Sequence, residues 1–284
     1  MRVRDRRDPT RQGIRILALC LVAAVSIGTE QALAAEDVWS ELKGDLYGDR
    51  PIHDGAEWLA MEAPVRARDA AIVPIDIGAL RPQGAARFIK NITLVIDQNP
   101  APVAAVFHLG PRSGLASIST RVRVNAYSHV RAIAETNDGE LFMVSRFVKA
   151  SGGCSAPALK DQDQSLANLG KMRLRYFTPK ESAGSTPAPQ EVREAQLMIR
   201  HPNYSGLQMD QITRYYIPAH FVREIEVRQG GDLILSVEGA ISLSEDPSVR
   251  FHFRSNGAEP INVRIQDTED QIFSQSWPVS SPAS

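Results

Sequence analysis

The sequence predicts an all-β protein built as two small sandwiches joined by a flexible linker and preceded by an export signal and a short helix. Three observations carry this reading. Strand-like stretches dominate from residue 71 onward. They fall into two blocks separated by a Pro-, Ala- and Ser-rich stretch, residues 179–190. The first 34 residues have the order of a targeting segment.

That segment opens with Arg2, Arg4, Arg6, Arg7, Arg11 and Arg15, continues through an apolar run from Ile16 to Val25, and ends on Ala32-Leu33-Ala34. The basic, apolar, small-x-small order is that of a cleaved signal peptide, and the run is shorter than the ~20 apolar residues of a spanning helix. The expectation is export to the periplasm, cleavage after Ala34 and no membrane anchor afterwards. Cleavage would remove six arginines and three acids and leave a mildly acidic chain.

A short helix then follows, with Val38, Leu42 and Leu46 on one face, stopped by Tyr47-Gly48-Asp49-Arg50-Pro51. Ala71 to Ile77 is apolar and β-branched, and Pro74 within it favours a sheet edge. Asn91 to Asp97 and Val103 to Leu109 read as strands. Ile118, Thr120, Val122 and Val124 alternate with Ser119, Arg121 and Arg123, as in a strand with one wet face. Val130 to Ala134 and Leu141 to Val148 flank the hairpin turn Asn137-Asp138-Gly139. Beyond Ser151-Gly152-Gly153-Cys154-Ser155-Ala156-Pro157, Lys171 to Phe177 is a further candidate strand. In the second block, Ala195 to Arg200 reads as a strand, and Phe221 to Arg228 and Leu233 to Val237 form a hairpin around Gly230-Gly231. Val249 to Arg254, Ile261 to Gln266 and Gln271 to Trp277 complete the set. The organisation expected is residues 1–34 as signal peptide, 35–153 as the first sandwich, 154–190 as cysteine arm and linker, and 191–278 as the second sandwich.

Composition narrows function. Hydrophobic residues make up 43% and charged residues 23% of 284, the profile of a globular chain, and the formal net charge of −1 gives no reason to expect nucleic acid. There is no Gly-x-Ser-x-Gly, no His-Glu-x-x-His and no phosphate loop, so no catalytic residue and no cofactor is assigned and the chain reads as a non-enzyme. His108 and His252 sit within strand patterns. His201 and His220 could approach each other on the second sandwich, but two histidines fall short of the three ligands a metal site wants, and no metal is assigned. The Arg200-His201-Pro202 and Ile217-Pro218-Ala219-His220-Phe221 clusters are a strand end and a turn, or else a partner surface.

Cysteine usage is more informative. Cys20 lies in the segment expected to be cleaved, which leaves Cys154 as the one thiol of the exported chain. It cannot pair internally, so it is buried and inert, paired with another molecule, or chemically used. A carrier thiol must ionise and must be reached. Gly152 and Gly153 remove bulk and widen backbone freedom, so the reading is a mobile arm with an exposed thiol, able to link two copies through a disulfide.

Leu46-Tyr47-Gly48-Asp49-Arg50-Pro51-Ile52, Phe107-His108, Ser117 to Val124, Asp138-Gly139 and Gly152-Gly153-Cys154 together resemble SoxY, the carrier subunit of the periplasmic thiosulfate-oxidising system. Ile199-Arg200-His201-Pro202 and Ile217-Pro218-Ala219-His220-Phe221 resemble SoxZ, its binding partner. Their order in one chain resembles the fused SoxYZ-like carriers associated with quinoprotein dehydrogenases. The resemblance implies an immunoglobulin-like sandwich for each half, packing of the halves on each other, and Cys154 as the covalent carrier of a sulfur compound. It implies as partners periplasmic sulfur-oxidation enzymes or a quinoprotein dehydrogenase system. One departure stands out. SoxY ends just after its cysteine, whereas here Ser155 follows and the arm is tied at both ends. The alternative is a non-catalytic module that escorts a quinoprotein dehydrogenase or its cytochrome, with a vestigial thiol.

Overall fold

Strands whose burial alternates residue by residue line both faces of one apolar core. The structure, a computed structural model, describes residues 38–81, 83–84, 86–157, 162–177, 192–257 and 259–279. The segment read as a signal peptide and the Pro-rich linker lie outside the described residues. The chain divides into two units, residues 1–49 and 50–284. The first contains helix α1, residues 38–47, where the sequence predicts it. Gly48 closes this helix in the left-handed region, φ +59°, with its N–H donating to the Gly44 carbonyl at 2.9 Å. Among the described residues no helix is long and apolar enough to cross a membrane.

The second unit is all-β. Its strands are β1 (Ile52–Asp54), β2 (Leu59–Glu62), β3 (Val73–Ala79), β4 (Ile89–Ile96), β5 (Val103–Leu109), β6 (Ser117–Val122), β7 (Ser128–Thr136) and β8 (Leu141–Val148). After a short helix α2 (Gln162–Ala167) come β9 (Met172–Phe177), β10 (Val192–Ile199), β11 (Val222–Gln229), β12 (Asp232–Gly239), β13 (Ser248–Arg254), β14 (Ile261–Asp267) and β15 (Ile272–Trp277). They form two immunoglobulin-like sandwiches, as expected. The hairpins at Asn137-Asp138-Gly139 and Gly230-Gly231 form as read, β7 on β8 and β11 on β12.

The two sandwiches share their sheets. One sheet of nine strands runs β1-β8-β7-β4-β5-β12-β11-β14-β15, and one of six runs β2-β3-β6-β13-β10-β9. The larger sheet crosses from the chain before residues 179–190 to the chain after them at one antiparallel seam, and the smaller sheet at two, the second being β9 on β10 with Leu174 opposite Leu197. In the larger sheet β5 pairs β12, with Leu109 opposite Leu235 and Phe107 opposite Val237. In the smaller sheet β6 pairs β13, with Ile118 opposite Phe251. The core is correspondingly one cluster, with Ile92, Phe107 and Ile118 from the first half and Ile225, Phe251 and Phe253 from the second.

The larger seam needs a glycine. A Cβ on Gly110 would stand 2.1 Å from the Leu233 carbonyl oxygen. Pro74 departs from its expected place at a sheet edge, because β3 lies between β2 and β6. The short β2 pairs with β3 only over Asp76–Ala79, so Pro74 sits beyond its reach and its missing N–H breaks no ladder bond on that side.

Candidate functional site

The Gly-Gly-Cys turn is not the exposed arm expected from its glycines. Cys154 is buried, with 0% of its surface exposed. Gly152 takes φ +77° and donates its N–H to Asn125 O at 2.8 Å, and Gly153 donates to Val124 O at 3.1 Å. A Cβ on Gly153 would meet the Ala70 carbonyl oxygen at 2.1 Å and Val124 O at 2.7 Å. Gly153 is therefore glycine because two backbone segments press on it, and close packing rather than freedom is its use here.

The second half closes the turn from the other side. Ser205 Oγ donates to the Cys154 carbonyl at 2.5 Å, and Gln208 Nε2 donates to the Ala156 carbonyl at 2.8 Å. Gln208 Oε1 in turn accepts from Ser205 N at 3.2 Å. The thiol thus lies where the two halves meet, held by backbone atoms of one and side chains of the other.

Arg123 is the residue that sequence reasoning missed. On the polar parity of its strand pattern it was expected to face water, yet it is 1% exposed and one of the largest fully buried side chains. It lies one residue past the end of β6, where the chain leaves the sheet and the alternation no longer sets the side chain's direction. Asn99 and Ser242 fix its backbone: Asn99 Nδ2 donates to Arg123 O at 2.7 Å, and Arg123 N donates to Ser242 O at 2.7 Å. Its guanidinium reaches Gly153 O through Nη1 and Asn203 O through Nη2, both at 3.3 Å, and so touches both halves. Burial lowers its pKa, while the charges of Cys154, Glu245 and Asp69 raise it. Burial likewise pushes the Cys154 thiol up to about 11, with Arg123 pulling the other way. In this closed arrangement the thiol is protonated at neutral pH.

His201 and His220 do meet, with ring centroids 4.6 Å apart, and Asp267 is the third group, out of reach of any sequence spacing. All three are buried, and their ligand atoms lie within 4.8 Å of one another. The hydrogen bonds define the protonation. Asn203 N donates to His201 Nδ1 at 3.0 Å, so the ring proton sits on Nε2, which faces Asp267 Oδ2 at 3.5 Å. His220 Nε2 lies 2.9 Å from the same oxygen. A metal-bound histidine donates from its other ring nitrogen, whereas His201 accepts there. The trio therefore reads as a polar cluster in which His220 hydrogen-bonds Asp267 and His201 Nε2 stands close to the same carboxylate without a hydrogen bond to it. Burial first, and then His220, lower the His201 pKa to about 4 against the pull of Asp267. The cluster's product is the placement of Asn203, held at φ 45° with its carbonyl presented to Arg123 and its side-chain Oδ1 accepting from Val222 N.

The two clusters read as a strand end and a turn, or else as a partner surface, are mixed in burial. His201, Pro202 and His220 are buried, whereas Arg200, Pro218 and Ala219 are exposed, as are the large apolar side chains Leu207, Met209, Ile212, Tyr215 and Tyr216 in the loop between the two clusters. His108, read as a strand residue, lies on the seam between Asn91 Oδ1 at 2.9 Å and Glu238 Oε1 at 2.8 Å. His252 is half-buried on β13.

Comparison with known proteins supplies two family matches. Residues 43–154 match the family of the sulfur oxidation protein SoxY, a match that ends on Cys154 itself. Residues 184–278 match the family of the sulphur oxidation protein SoxZ. Among solved structures, the chain is similar to the sulfur carrier protein SoxY from Chlorobium limicola f thiosulfatophilum, at 23% identity and TM-score 0.35 over 43% of this chain and 98% of that one. It is also similar to the E23A form of the superoxide reductase neelaredoxin from Ignicoccus hospitalis, at 16% identity and TM-score 0.30 over 34% of this chain and 81% of that one. None of the curated proteins matches it.

Proposed function

We propose that this chain, in which a SoxY domain is fused to a SoxZ domain, is a periplasmic sulfur-compound carrier with no turnover of its own, Cys154 being the covalent attachment point. The observation that carries the reading is the setting of that thiol. It is the only cysteine after residue 20, it is the residue on which the SoxY match ends, and it is enclosed jointly by both halves beside a buried guanidinium. Enclosure suits storage: a labile sulfur adduct is kept from water and from stray thiols until the turn opens.

Opening is feasible. The turn belongs to no strand and is held by the two glycine amide bonds, the bonds from Ser205 and Gln208, and the Arg123 contact. At about 1 kcal/mol net for each hydrogen bond, release costs about 5 kcal/mol, a small fraction of the interactions that hold the sheets. Loading and unloading would be done by sulfur-oxidation enzymes of the same compartment, and association with a quinoprotein dehydrogenase system is part of the proposal. The test is the intact mass of the protein purified from its native host. A sulfur-sized mass increment that disappears in Cys154→Ser supports the carrier.

Burial of the thiol favours the second reading, a binding module whose cysteine is a core residue. A bare thiol in native protein, together with full host-pathway activity of Cys154→Ser, would establish that reading and remove the first.

A further inference from the structure

We infer that Arg123 makes the enclosed Cys154 site selective for charge, holding the terminal anion of a sulfur group bound to the thiol and disfavouring groups that end in a positive charge. The inference rests on the carrier reading and names the cargo chemistry of that site.

The case begins with unmet bonding. A guanidinium offers five N–H donors. Arg123 places one on Gly153 O and one on Asn203 O, both at 3.3 Å, the long end of the hydrogen-bond range, and its Nε is buried with no partner. No carboxylate among the described residues forms an ion pair with it, and Glu245 and Asp69 act only at a distance. A buried cation left in this state is costly unless an anion joins it.

The second part of the case is position. The Nη1 contact lands on the carbonyl of Gly153, the residue immediately before Cys154. Asn99, Ser242 and Asn203 fix the arginine before any adduct forms. An anion carried on the sulfur would therefore meet a charge already in place, with little ordering left to do, and guanidinium geometry suits the planar or forked oxygens of oxidised sulfur as well as a terminal sulfide.

The test loads the full-length protein, with its leader removed, with two probes of matched size. Sulfonatoethyl methanethiosulfonate and trimethylammonium-ethyl methanethiosulfonate react identically. The thiol sulfur forms a new S–S bond to the ethylthio group, the S–S bond of the reagent breaks, methanesulfinate leaves with the electron pair, and the thiol proton goes to solvent. Loading is done in denaturant, followed by refolding and a mass check. In the wild type the sulfonate adduct should melt above the ammonium adduct by roughly 4 °C or more. In Arg123→Gln the gap should collapse. Equal melting or the reverse order in the wild type overturns the assignment without any variant, so a variant that does not fold leaves the test intact. A gap that persists unchanged in folded Arg123→Gln overturns it too. Either failure leaves the carrier reading standing, since that reading falls instead on a bare thiol in native protein.

Discussion

A thiol with none of its surface exposed ionises on terms set by the groups around it. At Cys154, burial outweighs the neighbouring Arg123 and the pKa rises to about 11. Against an ordinary thiol this lowers the reactive thiolate at neutral pH roughly a hundredfold, before any barrier to access is counted. Maleimide labelling at pH 7.5 should therefore be at least about a hundredfold slower in the folded protein than in denaturant, and the folded protein should form no disulfide-linked dimer in air. The linkage has a definite sign. A group whose folded pKa is raised contributes its full stability below the unfolded value and loses it as pH rises through the folded one. The denaturation midpoint should fall between about pH 9 and 11 in the wild type and less so in Cys154→Ala. Fast labelling of the folded protein would return the cysteine to an exposed arm.

At the scale of strands, the pattern of side chains announces which face is buried but not what buries it. The apolar positions of β6 and the turn residues of β7–β8 and β11–β12 were legible for that reason, since each depends on neighbours close in sequence. Pro74 misled because its cost depends on how far β2 extends, a property of another strand. Arg123 was illegible because a partner half fills the space that water would otherwise occupy. Asp267 was missed because its meeting with His201 and His220 is made by the end of β14 reaching the turn before β11. The glycines of the thiol turn were legible as glycines but not in their use, since freedom and close approach call for the same residue. The seam between β5 and β12 allows a direct check at this scale. Gly110 N donates to Ile234 O at 2.9 Å, and a Cβ there would stand 2.1 Å from Leu233 O. Gly110→Ala must push two backbones apart and should cost on the order of 3 kcal/mol in urea denaturation. An unchanged midpoint would mean that the strands do not meet so closely.

For the whole molecule, three seams and one core replace the picture of two beads on a string. The linker read at residues 179–190 connects halves that already share a nine-stranded and a six-stranded sheet. The enclosure of the thiol exists only while they do, since Cys154 and Arg123 come from one half, and Ser205, Gln208 and Asn203 come from the other. The tie at both ends of the cysteine turn follows from the same design, because the chain must pass on from Pro157 to supply β9, which pairs with β10 at the far edge of the smaller sheet. Covalent continuity through the linker should then matter little once the protein has folded. Cutting the chain within residues 179–190, by an inserted protease site, should leave two fragments that elute together at micromolar concentration. They should unfold in a single transition and keep Cys154 as slow to label as in the uncut protein. Fragments that separate on dilution to that range, or that melt in two steps, would show that the seams are weak contacts between independent domains. The shielding of the thiol would then depend on the linker rather than on the sheets.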